Sequence, residues 1–305
     1  MRKILITGGT GAVGSCIIKT LEKEGHQVHV LSRSPEEHQD TYPQAAFFAW
    51  NIRDKTIDTN AFEGVDTVIH LAGKNVAEGR WTDKRRQEIL DSRIESAKLL
   101  YDTIEQLEHK PRTFVSASAI GYYGGNKDTL VNEESPAAKN DFLAEVCIQW
   151  ELAADRFASL GLRVVKIRIG VVLDTDTGVL QKLVPVTKAG LAAPLGKGDQ
   201  YMSWIHIKDL ARLFVHTATN EEVEGVLNGV ADNPETNRDF TKTLADVLNR
   251  PMVLPKVPAF VLKGAMGQMA EIALDSIRVD NQRMRAIGFE CQFKDLSGAL
   301  NDLLN

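Results

Sequence analysis

The stretch from residue 116 to residue 125, SASAIGYYGG, brings together side chains that could act on a substrate. A serine hydroxyl or a phenol can hydrogen-bond a substrate oxygen or pass a proton, which makes Ser118, Tyr122 and Tyr123 candidate catalytic residues. Tyr123 and Lys127 also show the spacing Tyr-x-x-x-Lys, which on a helix would place a cation beside the phenol. The intervening Gly-Gly-Asn favours a turn, so we expect the spacing to be coincidental and Lys127 to be solvated. Packing of the tyrosines beneath the loop is the alternative to a chemical role.

A second group of residues, TGGTGAVG from Thr7 to Gly14, lies between a predicted strand and a predicted helix. This is the context that a dinucleotide-binding fingerprint requires, because its glycines turn the chain tightly and let the backbone approach a pyrophosphate. The N-terminus of the following helix supplies free N–H donors and the positive end of a dipole. The candidate cofactor-binding residues of this loop are Gly8, Thr10, Gly11, Ala12, Val13 and Gly14; a glycine-rich turn without a ligand is the alternative.

The end of the second predicted strand, LSRS at residues 31–34, indicates which dinucleotide the loop would hold. An NAD site usually offers a carboxylate to the ribose hydroxyls at this point, whereas an arginine accommodates the extra phosphate of NADP. Arg33 could pair with that phosphate, Ser32 and Ser34 could donate to it, and no carboxylate occurs before Glu36. The sequence therefore favours NADP(H), with a solvated charge at the strand end as the alternative for Arg33.

Alternating strand and helix patterns must position these residues. Strands are predicted over 3–7, 27–32, 66–72, 113–118 and 162–170, and helices over 13–24, 83–107 and 141–160. This order predicts an α/β fold, a Rossmann-type doubly wound parallel sheet. An irregular, turn-rich pattern after residue 170 predicts a smaller, interleaved C-terminal substrate domain. We assign residues 1–170 and about 204–225 to the first domain, and about 171–203 and 226–305 to the second.

The overall composition favours a small-molecule partner. The chain has 305 residues, 43% of them hydrophobic, and a net charge of −5 with mixed signs, so no basic face for nucleic acid is evident. The three cysteines are far apart, which suggests neither a disulfide framework nor a metal site and is typical of a reducing cytoplasm. No segment reaches the length of a membrane span or a signal-peptide core, so we expect no membrane partner.

These motifs together resemble the extended short-chain dehydrogenase/reductase superfamily, whose members include nucleotide-sugar epimerases and dehydratases. TGGTGAVG resembles its glycine loop, GVDTVIHLAG the strand that ends against the cofactor, and SASAIGYYG the strand that bears the active-site serine. IRIGVVL and WIHIKDLA are similar to motifs that close the cofactor site and shape the substrate cleft. The resemblance implies hydride transfer with NADP(H) and adds cofactor contacts at Leu71, Ala72, Gly73, Ser116 and Val171.

Four further segments resemble an atypical branch of this superfamily, the SDR39U-type epimerase family with a DUF1731-type C-terminal region. They are GRWTDKRRQEILDSRIESAKLL, GYYG, FLAEVCIQWE and the stretch from PAFVLKGAMGQMAE to GFECQFKDLSGALNDLL, so the resemblance covers the whole chain. It implies that Glu88 and Arg93 contact NADP(H), Arg93 at the pyrophosphate and Glu88 at a ribose hydroxyl or Arg33. Ion pairing on the helix surface is the alternative.

The chain departs from the superfamily pattern at the catalytic helix, where Phe142 and Val146 stand near the expected tyrosine and lysine. Neither side chain can pass a proton. Two functions therefore stay open: an oxidoreductase or epimerase that acts on an unidentified small substrate through Ser118 and a tyrosine, or an inactive NADP(H)-binding sensor or scaffold.

The remaining candidates belong to the substrate cleft and to the subunit surface. The cleft candidates are Arg80, Trp81, Gln200, Trp204 and His206. Trp81 could cover the nicotinamide or anchor its loop in the core, and His206 could titrate near neutrality or be structural. In the superfamily the helices corresponding to residues 83–107 often pair subunits, which makes a homodimer the candidate assembly.

Overall fold

The computed structural model describes residues 1–125 and 127–305, with the side chains of residues 127 and 128 left out. The strands are β1 (Lys3–Thr7), β2 (Gln27–Ser32), β3 (Ala45–Asn51), β4 (Thr56–Ile57), β5 (Thr67–His70), β6 (Thr113–Ala119), β7 (Lys127–Val131), β8 (Arg163–Ile169), β9 (Val171–Leu173), β10 (Tyr201–Met202), β11 (Trp204–His206), β12 (Gly225–Gly229), β13 (Glu235–Thr236) and β14 (Ile277–Val279). The α-helices are α1 (Ala12–Lys23), α2 (Asp83–Glu105), α3 (Phe142–Asp155), α4 (Gly178–Lys188), α5 (Ile207–Thr219), α6 (Asn237–Val247), α7 (Ala259–Met266), α8 (Glu271–Leu274), α9 (Gln282–Ala286) and α10 (Leu296–Leu304).

The main sheet confirms the predicted doubly wound α/β fold. In the described part of the chain its strands follow the order β12-β8-β6-β5-β1-β2-β3-β4, and neighbouring strands are parallel except for β3 and β4. The chain builds outward from β1 in both directions, so the loops after β1 and β5 diverge at the C-terminal edge of the sheet. Ligands of doubly wound proteins bind in the crevice at this switch point.

Period-two alternation in β1 divides the core between the two faces of the sheet. Ile4 and Ile6 are fully buried in a cluster with Ile17 of α1 and Phe214 of α5, while Leu5 is buried in the opposite cluster with residues of α2. Each such side chain stabilises the fold by about 1.5–3 kcal/mol. The buried strand holds the start of the following loop at a fixed place on the sheet edge.

Strand β3 lies in a region that the sequence pattern indicated only as a polar loop. It pairs in parallel with β2 near the edge of the sheet, from Val28 opposite Ala45 to Ser32 opposite Ala49. Its burial does not alternate cleanly along AAFFAWN, because only its first residue and Trp50 are buried. A strand covered so unevenly shows no clear period of two.

The C-terminal half adds small sheets and helices around the end of the main sheet. One small sheet has the order β13-β10-β14-β7, and another pairs β11 with β9. A separate core cluster joins α4, α6 and α10 around Trp204 and Phe240. Strand β12 belongs to the main sheet although most of it falls in the region assigned to the smaller domain, whereas β11 lies outside that sheet. The division into two domains stays a prediction.

Among the described residues, no helix combines the length and the apolar character that crossing a membrane demands.

Candidate functional site

The glycine loop between β1 and α1 has three positions, Gly8, Gly9 and Gly14, where a side chain would be strained or crowded, and one, Gly11, that packing leaves open. Gly8 has a φ of +70°, and a Cβ at Gly14 would lie 2.3 Å from the carbonyl oxygen of Gly8. Gly11 differs, because it is exposed and has an ordinary φ of −79°. A Cβ there would be in ordinary van der Waals contact with the Gly8 carbonyl oxygen, at 3.4 Å. Packing within the protein therefore does not require glycine at position 11.

The start of α1 offers its backbone N–H groups and dipole to an anion. Gly11 is the N-cap residue, no side chain caps the helix, and the first turn contains no acidic residue. Thr10 is exposed, and Ala12 and Val13 are half-buried beside it. The structure thus places the predicted loop residues around one helix N-terminus at the switch point of the sheet.

The end of β2 brings a free cation to the same edge. Thr7 and Leu31 are register partners in the β1–β2 pair, so Ser32 and Arg33 follow at the level of the glycine loop. Ser32 is buried, and its Oγ accepts a hydrogen bond of 3.2 Å from the Ser34 N–H. Arg33 is exposed and forms no side-chain hydrogen bond or ion pair within the described residues.

The segment Leu71–Gly73 packs against this loop, and a buried histidine holds it there. A Cβ at Gly8 would lie 3.1 Å from the Ala72 nitrogen, and the N–H groups of Leu71 and Ala72 each donate to Thr7 Oγ1 at 3.3 Å. His70 is fully buried, with Nδ1 2.7 Å from Thr7 Oγ1. Burial lowers the pKa of His70 to about 3, with the nearby guanidinium of Arg93 adding to the effect, so the imidazole is neutral and structural.

Arg93 of α2 is a buried cation immediately behind that segment. Its side chain is 8% exposed, and Nη1 donates to the carbonyl oxygens of Ile89 at 2.9 Å and Lys74 at 3.1 Å. Its Cζ lies 4.6 Å from the centre of the Trp150 ring, and a Cβ at Gly73 would lie 3.1 Å from Cζ.

No carboxylate pairs with Arg93, and its Nε has no hydrogen-bond partner, among the residues that the structure describes. Burial lowers the pKa of Arg93 to about 10, which leaves the guanidinium charged at neutral pH. A buried charge without a counter-charge is unfavourable, and an anionic ligand would relieve that cost.

Glu88 is engaged in ion pairs on the surface of α2. Its Oε2 lies 2.9 Å from Lys74 Nζ and 3.4 Å from Arg85 Nη1, and the hydrogen bond from Lys74 lowers the pKa of Glu88. The structure therefore shows the ion-pair arrangement for Glu88 and no pair with Arg33. Because Lys74 directly follows Gly73, this ion pair places the Glu88 carboxylate near the segment Leu71–Gly73.

Trp81 anchors its loop in an apolar cluster that occupies the positions expected for the catalytic tyrosine and lysine. Its ring packs edge-on against Phe142 with a centroid separation of 5.1 Å, and Val146 and Met269 are buried in the same cluster. Its Nε1 donates to the Val76 carbonyl oxygen at 2.8 Å. We call Trp81, Ile89, Phe142, Val146 and Met269 the Trp81 cluster. Trp81 is 8% exposed, which favours the core anchor over a cover for a cofactor ring.

Ser118 belongs to a buried polar network under the C-terminal ends of β6, β8 and β12. Its hydroxyl donates to Glu151 Oε1 at 2.7 Å, and Arg168 binds Glu151 through Nε at 2.8 Å and Nη2 at 2.9 Å. Arg168 Nη1 donates to the Tyr123 hydroxyl at 3.0 Å, and that hydroxyl donates to Asn228 Oδ1 at 2.7 Å. Burial alone would lower the pKa of Arg168, but its bonds to Glu151 outweigh this and raise it.

The two tyrosines occupy different places. Tyr123 is fully buried, and burial raises its pKa above the usual value despite Arg168, so its phenol stays protonated and structural. This placement matches the alternative given for the tyrosines, packing beneath the loop, because the Tyr123 hydroxyl is used inside the network. Tyr122 is half-buried, and Arg168 Cζ lies 3.4 Å from its ring centre. Tyr123 ends a short turn of 3-10 helix before β7 begins, so Tyr123 and Lys127 share no helix; the Lys127 side chain lies outside the described residues.

Several other predicted site residues serve the fold. Gln200 is buried, accepts from the Gly198 N–H at 3.0 Å and donates to Leu195 and Ala273, so it braces a turn. Trp204 is fully buried, and its indole N–H donates to the Asn233 carbonyl oxygen at 3.0 Å. Both placements differ from the predicted lining of a substrate cleft. Arg80 is exposed and donates to the Ala265 carbonyl oxygen at 3.4 Å, Val171 pairs in register with Trp204, and Ser116 is buried within β6.

His206 is the N-cap residue of α5 and is fully buried. Its Nδ1 accepts from the Lys208 N–H at 3.1 Å, and its ring stacks on Phe293 at 3.8 Å. Nε2 lies 3.3 Å from Asp302 Oδ2 without hydrogen-bond geometry. Burial lowers the pKa of His206, which opposes the acid or base role that its position suggested.

The sequence interpretation missed His70, Glu151 and Asn228, which hold the site together. Glu151 carried a signal, since it lies on the buried face of α3 one turn after Cys147, and a carboxylate there requires a partner. Asn228 lies within β12 and His70 ends β5, and a buried polar residue in such a short strand is usually hydrogen-bonded. Within the described residues, no group of three or more histidine, cysteine or acidic side chains could hold a metal ion.

A parallel sheet with a glycine loop at its switch point, an arginine after β2 and a serine at the end of β6 defines a dinucleotide-binding fold of the short-chain dehydrogenase/reductase class. The NAD dependent epimerase/dehydratase family matches residues 4–228, and a domain of unknown function, DUF1731, matches residues 257–303. The chain belongs to the NAD dependent epimerase/dehydratase family.

Individual relatives confirm the resemblance to the SDR39U type. The Arabidopsis thaliana protein named Epimerase family protein SDR39U1 homolog, chloroplastic, is 36% identical over 99% of this chain and 86% of its own length. A crystal structure of human epimerase family protein SDR39U1 (isoform 2) with NADPH is 29% identical, with a TM-score of 0.85 over 99% of this chain and 98% of that one. A UDP-glucose 4-epimerase from Thermotoga maritima is 17% identical with a TM-score of 0.81, covering 99% and 97% of the two chains, and supports the fold alone.

Proposed function

We propose that the protein binds NADP(H) between the glycine loop and the segment Leu71–Gly73. The observation that carries this proposal is a pair of arginines without carboxylate partners in the described chain, one on each side of the crevice. Arg33 is exposed beyond β2, and Arg93 is buried behind Gly73. The crystal structure of human SDR39U1 with NADPH supports the same choice of cofactor.

Each arginine has a separate part in this proposal. Arg33 pairs with the phosphate on the adenosine ribose, where its planar fork matches a phosphate bidentately. The pyrophosphate lies at the N-terminus of α1, and its charge compensates the buried guanidinium of Arg93. Bound NADP(H) supplies the hydride acceptor or donor for the reaction.

The cofactor proposal is tested by titrating the protein with NADPH and NADH and comparing Arg33→Asp with Arg53→Asp. Arg53 is another exposed arginine, on the turn between β3 and β4. Arg33→Asp should weaken NADPH binding at least about tenfold, which is 1.4 kcal/mol, and leave NADH binding unchanged. The Arg53 variant should change neither affinity, and Arg93→Gln should weaken both. NADPH affinity unaffected by Arg33→Asp would contradict the assignment.

For the reaction, we propose an oxidoreductase or epimerase that acts on a small substrate beside Ser118 and Tyr122. Glu151 fixes the Ser118 hydroxyl hydrogen, so Ser118 offers its oxygen lone pairs to a substrate hydroxyl rather than a hydrogen to a carbonyl. Of the two adjacent tyrosines, Tyr122 is the one that is partly exposed. The Arg168 cation over its ring stabilises negative charge that develops on the phenol during proton transfer.

One observation favours a second candidate, an NADP(H)-binding sensor or scaffold without activity. The Trp81 cluster fills the positions of the usual proton-relay residues with packed apolar side chains. A panel of carbonyl and sugar substrates, followed by NADPH oxidation, separates the two functions. Turnover that falls at least about a hundredfold in Ser118→Ala supports the enzyme; NADPH binding without turnover on any member of the panel supports the sensor.

We also propose a homodimer in the cytoplasm, through the groove between α2 and α3. The groove contains Ile94, Tyr101 and Leu152, and Leu152 is 54% exposed. Apolar side chains that lie together on a surface, here the exposed Leu152 beside the half-buried Ile94 and Tyr101, support a contact between subunits. Light scattering should give the mass of two chains, and Leu152→Arg should give the mass of one; a wild-type monomer at high concentration contradicts the dimer.

A further inference from the structure

A second surface, away from the cofactor site, combines exposed apolar side chains with charges of one sign. Residues 177–198 and 247–270 contain no aspartate or glutamate. Their basic residues are all exposed: Lys182, Lys188, Lys197, Arg250, Lys256 and Lys263. Because the whole chain carries a net charge of −5, these six positive charges leave −11 for the remaining residues. We call the two segments together the basic apolar surface.

The two segments run side by side in the structure. Arg250 Nε donates to the Lys188 carbonyl oxygen at 2.9 Å. Further along, the Val257 N–H donates to the Pro194 carbonyl oxygen at 2.8 Å, and the Gly196 N–H donates to the Val257 carbonyl oxygen at 2.9 Å. These contacts bring Lys188, Lys197, Arg250 and Lys256 to one region of the surface. Lys263 follows on α7, where it lies near Asp275.

The same face exposes large apolar side chains. Val253 and Phe260 are each 75% exposed, and Leu191 is 54% exposed. Val186, Leu254 and Val261 are also exposed. Helix α7, which carries Phe260, has no fully buried residue. A patch of this kind on an otherwise acidic protein marks an interaction surface.

We propose that the basic apolar surface binds the surface of a membrane that contains anionic lipids. Protruding phenylalanine and valine side chains can enter the boundary between headgroups and acyl chains, while lysines reach the phosphates. The positive charges are complementary to anionic headgroups, and attraction acts within about 10 Å at moderate salt. Side chains that project individually from α7 and its preceding segment fit a deformable lipid surface better than a rigid protein partner.

This contact needs no membrane-spanning helix, whereas the expectation of no membrane partner rested on the absence of a segment of spanning length. The inference does not depend on NADP(H) binding, because none of the six basic residues belongs to the proposed cofactor site. The surface would bring the protein to a membrane while the crevice at the sheet edge performs its own function.

The test is co-sedimentation of the full chain with vesicles of phosphatidylcholine alone and of phosphatidylcholine with phosphatidylglycerol in equal parts. The protein should sediment with the mixed vesicles, remain in the supernatant with neutral ones, and dissociate as salt is raised. Removing the charges in Lys256→Gln and Lys263→Gln should weaken partition about fivefold for each. Val253→Ser with Phe260→Ser should abolish it.

Matched controls are Leu130→Ser and Lys23→Gln, which change an exposed leucine and an exposed lysine outside the basic apolar surface. Both should bind as the wild type does, and thermal unfolding should show that all variants are folded. Equal binding to neutral vesicles, binding that the surface variants do not reduce, or no binding to mixed vesicles would each overturn the proposal. A dimer that Phe260→Ser converts to a monomer without any vesicle binding would assign the surface to a second copy of the chain.

Discussion

The contrast between Gly11 and Gly14 gives the sharpest test of the cofactor loop, because the same change, glycine to alanine, should act on binding at one position and on folding at the other. At Gly11 the new Cβ would contact the Gly8 carbonyl oxygen at 3.4 Å, and the backbone has an ordinary φ of −79°. Alanine is a poorer N-cap than glycine, which destabilises the helix. Alanine also reduces the conformational entropy of the unfolded chain, which stabilises the folded state by about 0.4–1 kcal/mol. These effects oppose each other, so the free energy of unfolding should change by less than about 1 kcal/mol.

At Gly14 the new Cβ would lie 2.3 Å from the Gly8 carbonyl oxygen and 2.6 Å from the Gly9 Cα. Backbone atoms cannot move aside as a flexible side chain can, so overpacking should cost about 1–3 kcal/mol or more. NADPH binding should instead be sensitive to the change at Gly11. Gly11→Ala places a methyl group on the open face of the loop, where the pyrophosphate is proposed to approach. The affinity of the Gly11→Ala variant for NADPH should fall at least about tenfold, or 1.4 kcal/mol.

Urea unfolding of the unliganded proteins measures the first effect, and fluorescence titration with NADPH measures the second. Gly11→Ala should unfold as the wild type does and bind NADPH weakly, whereas Gly14→Ala should unfold at lower urea. If Gly11→Ala binds NADPH with unchanged affinity, the pyrophosphate does not approach that face, and the reasoning from loop geometry to cofactor fails.

Three further predictions concern buried and half-buried groups. Burial lowers the pKa of His70 to about 3, so below about pH 6.5 the unfolded chain takes up a proton that the folded chain excludes. The free energy of unfolding should therefore fall by about 2–3 kcal/mol between pH 7 and pH 4.5, and by less in His70→Gln. Burial, then repulsion from Asp141, raises the pKa of Asp275 to about 6, so this carboxyl destabilises the fold as pH rises through 6. Asp275→Asn should be more stable than the wild type by about 1 kcal/mol at pH 8, a value reduced for its partial exposure, and equal to it near pH 4; an equal difference at both pH values would contradict this. Val146→Lys buries an unpaired cation and should lower the free energy of unfolding by about 3 kcal/mol, whereas Phe142→Tyr should change it little. A stable double variant that gains reductase activity would show that the Trp81 cluster does not exclude a tyrosine–lysine proton relay.

Local patterns predicted the central elements of the fold within a few residues. β1 and β2 match the predicted ranges, and α2 ends two residues before the predicted boundary. These elements have strong hydrophobic periods or clear stop signals, and the glycine loop lies between two of them, so its place at the sheet edge followed directly. β3 was missed because its uneven burial left no such period in the sequence.

The polar network beneath the site could not be predicted in the same way, because its members come together only through the order of the strands. Ser118 and Glu151 are separated by 33 residues, and Tyr123 and Asn228 by 105. The adjacency of β6, β8 and β12 at one end of the sheet decides these contacts. Gln200 and His206 show the converse: polar residues that were candidates for the substrate cleft are used as internal hydrogen-bonding groups.

The Trp81 cluster also limits how the chain can be recombined with other members of its family. It joins the loop before α2, the first turn of α3 and Met269 from the region that matches DUF1731. A chimera that gives this C-terminal region to an epimerase with a tyrosine and a lysine on α3 would press those polar side chains against Met269. A chimera without the region would remove Met269 from the apolar side chains that pack with Phe142 and Val146. The apolar start of α3 and the C-terminal region are therefore exchangeable only as a pair.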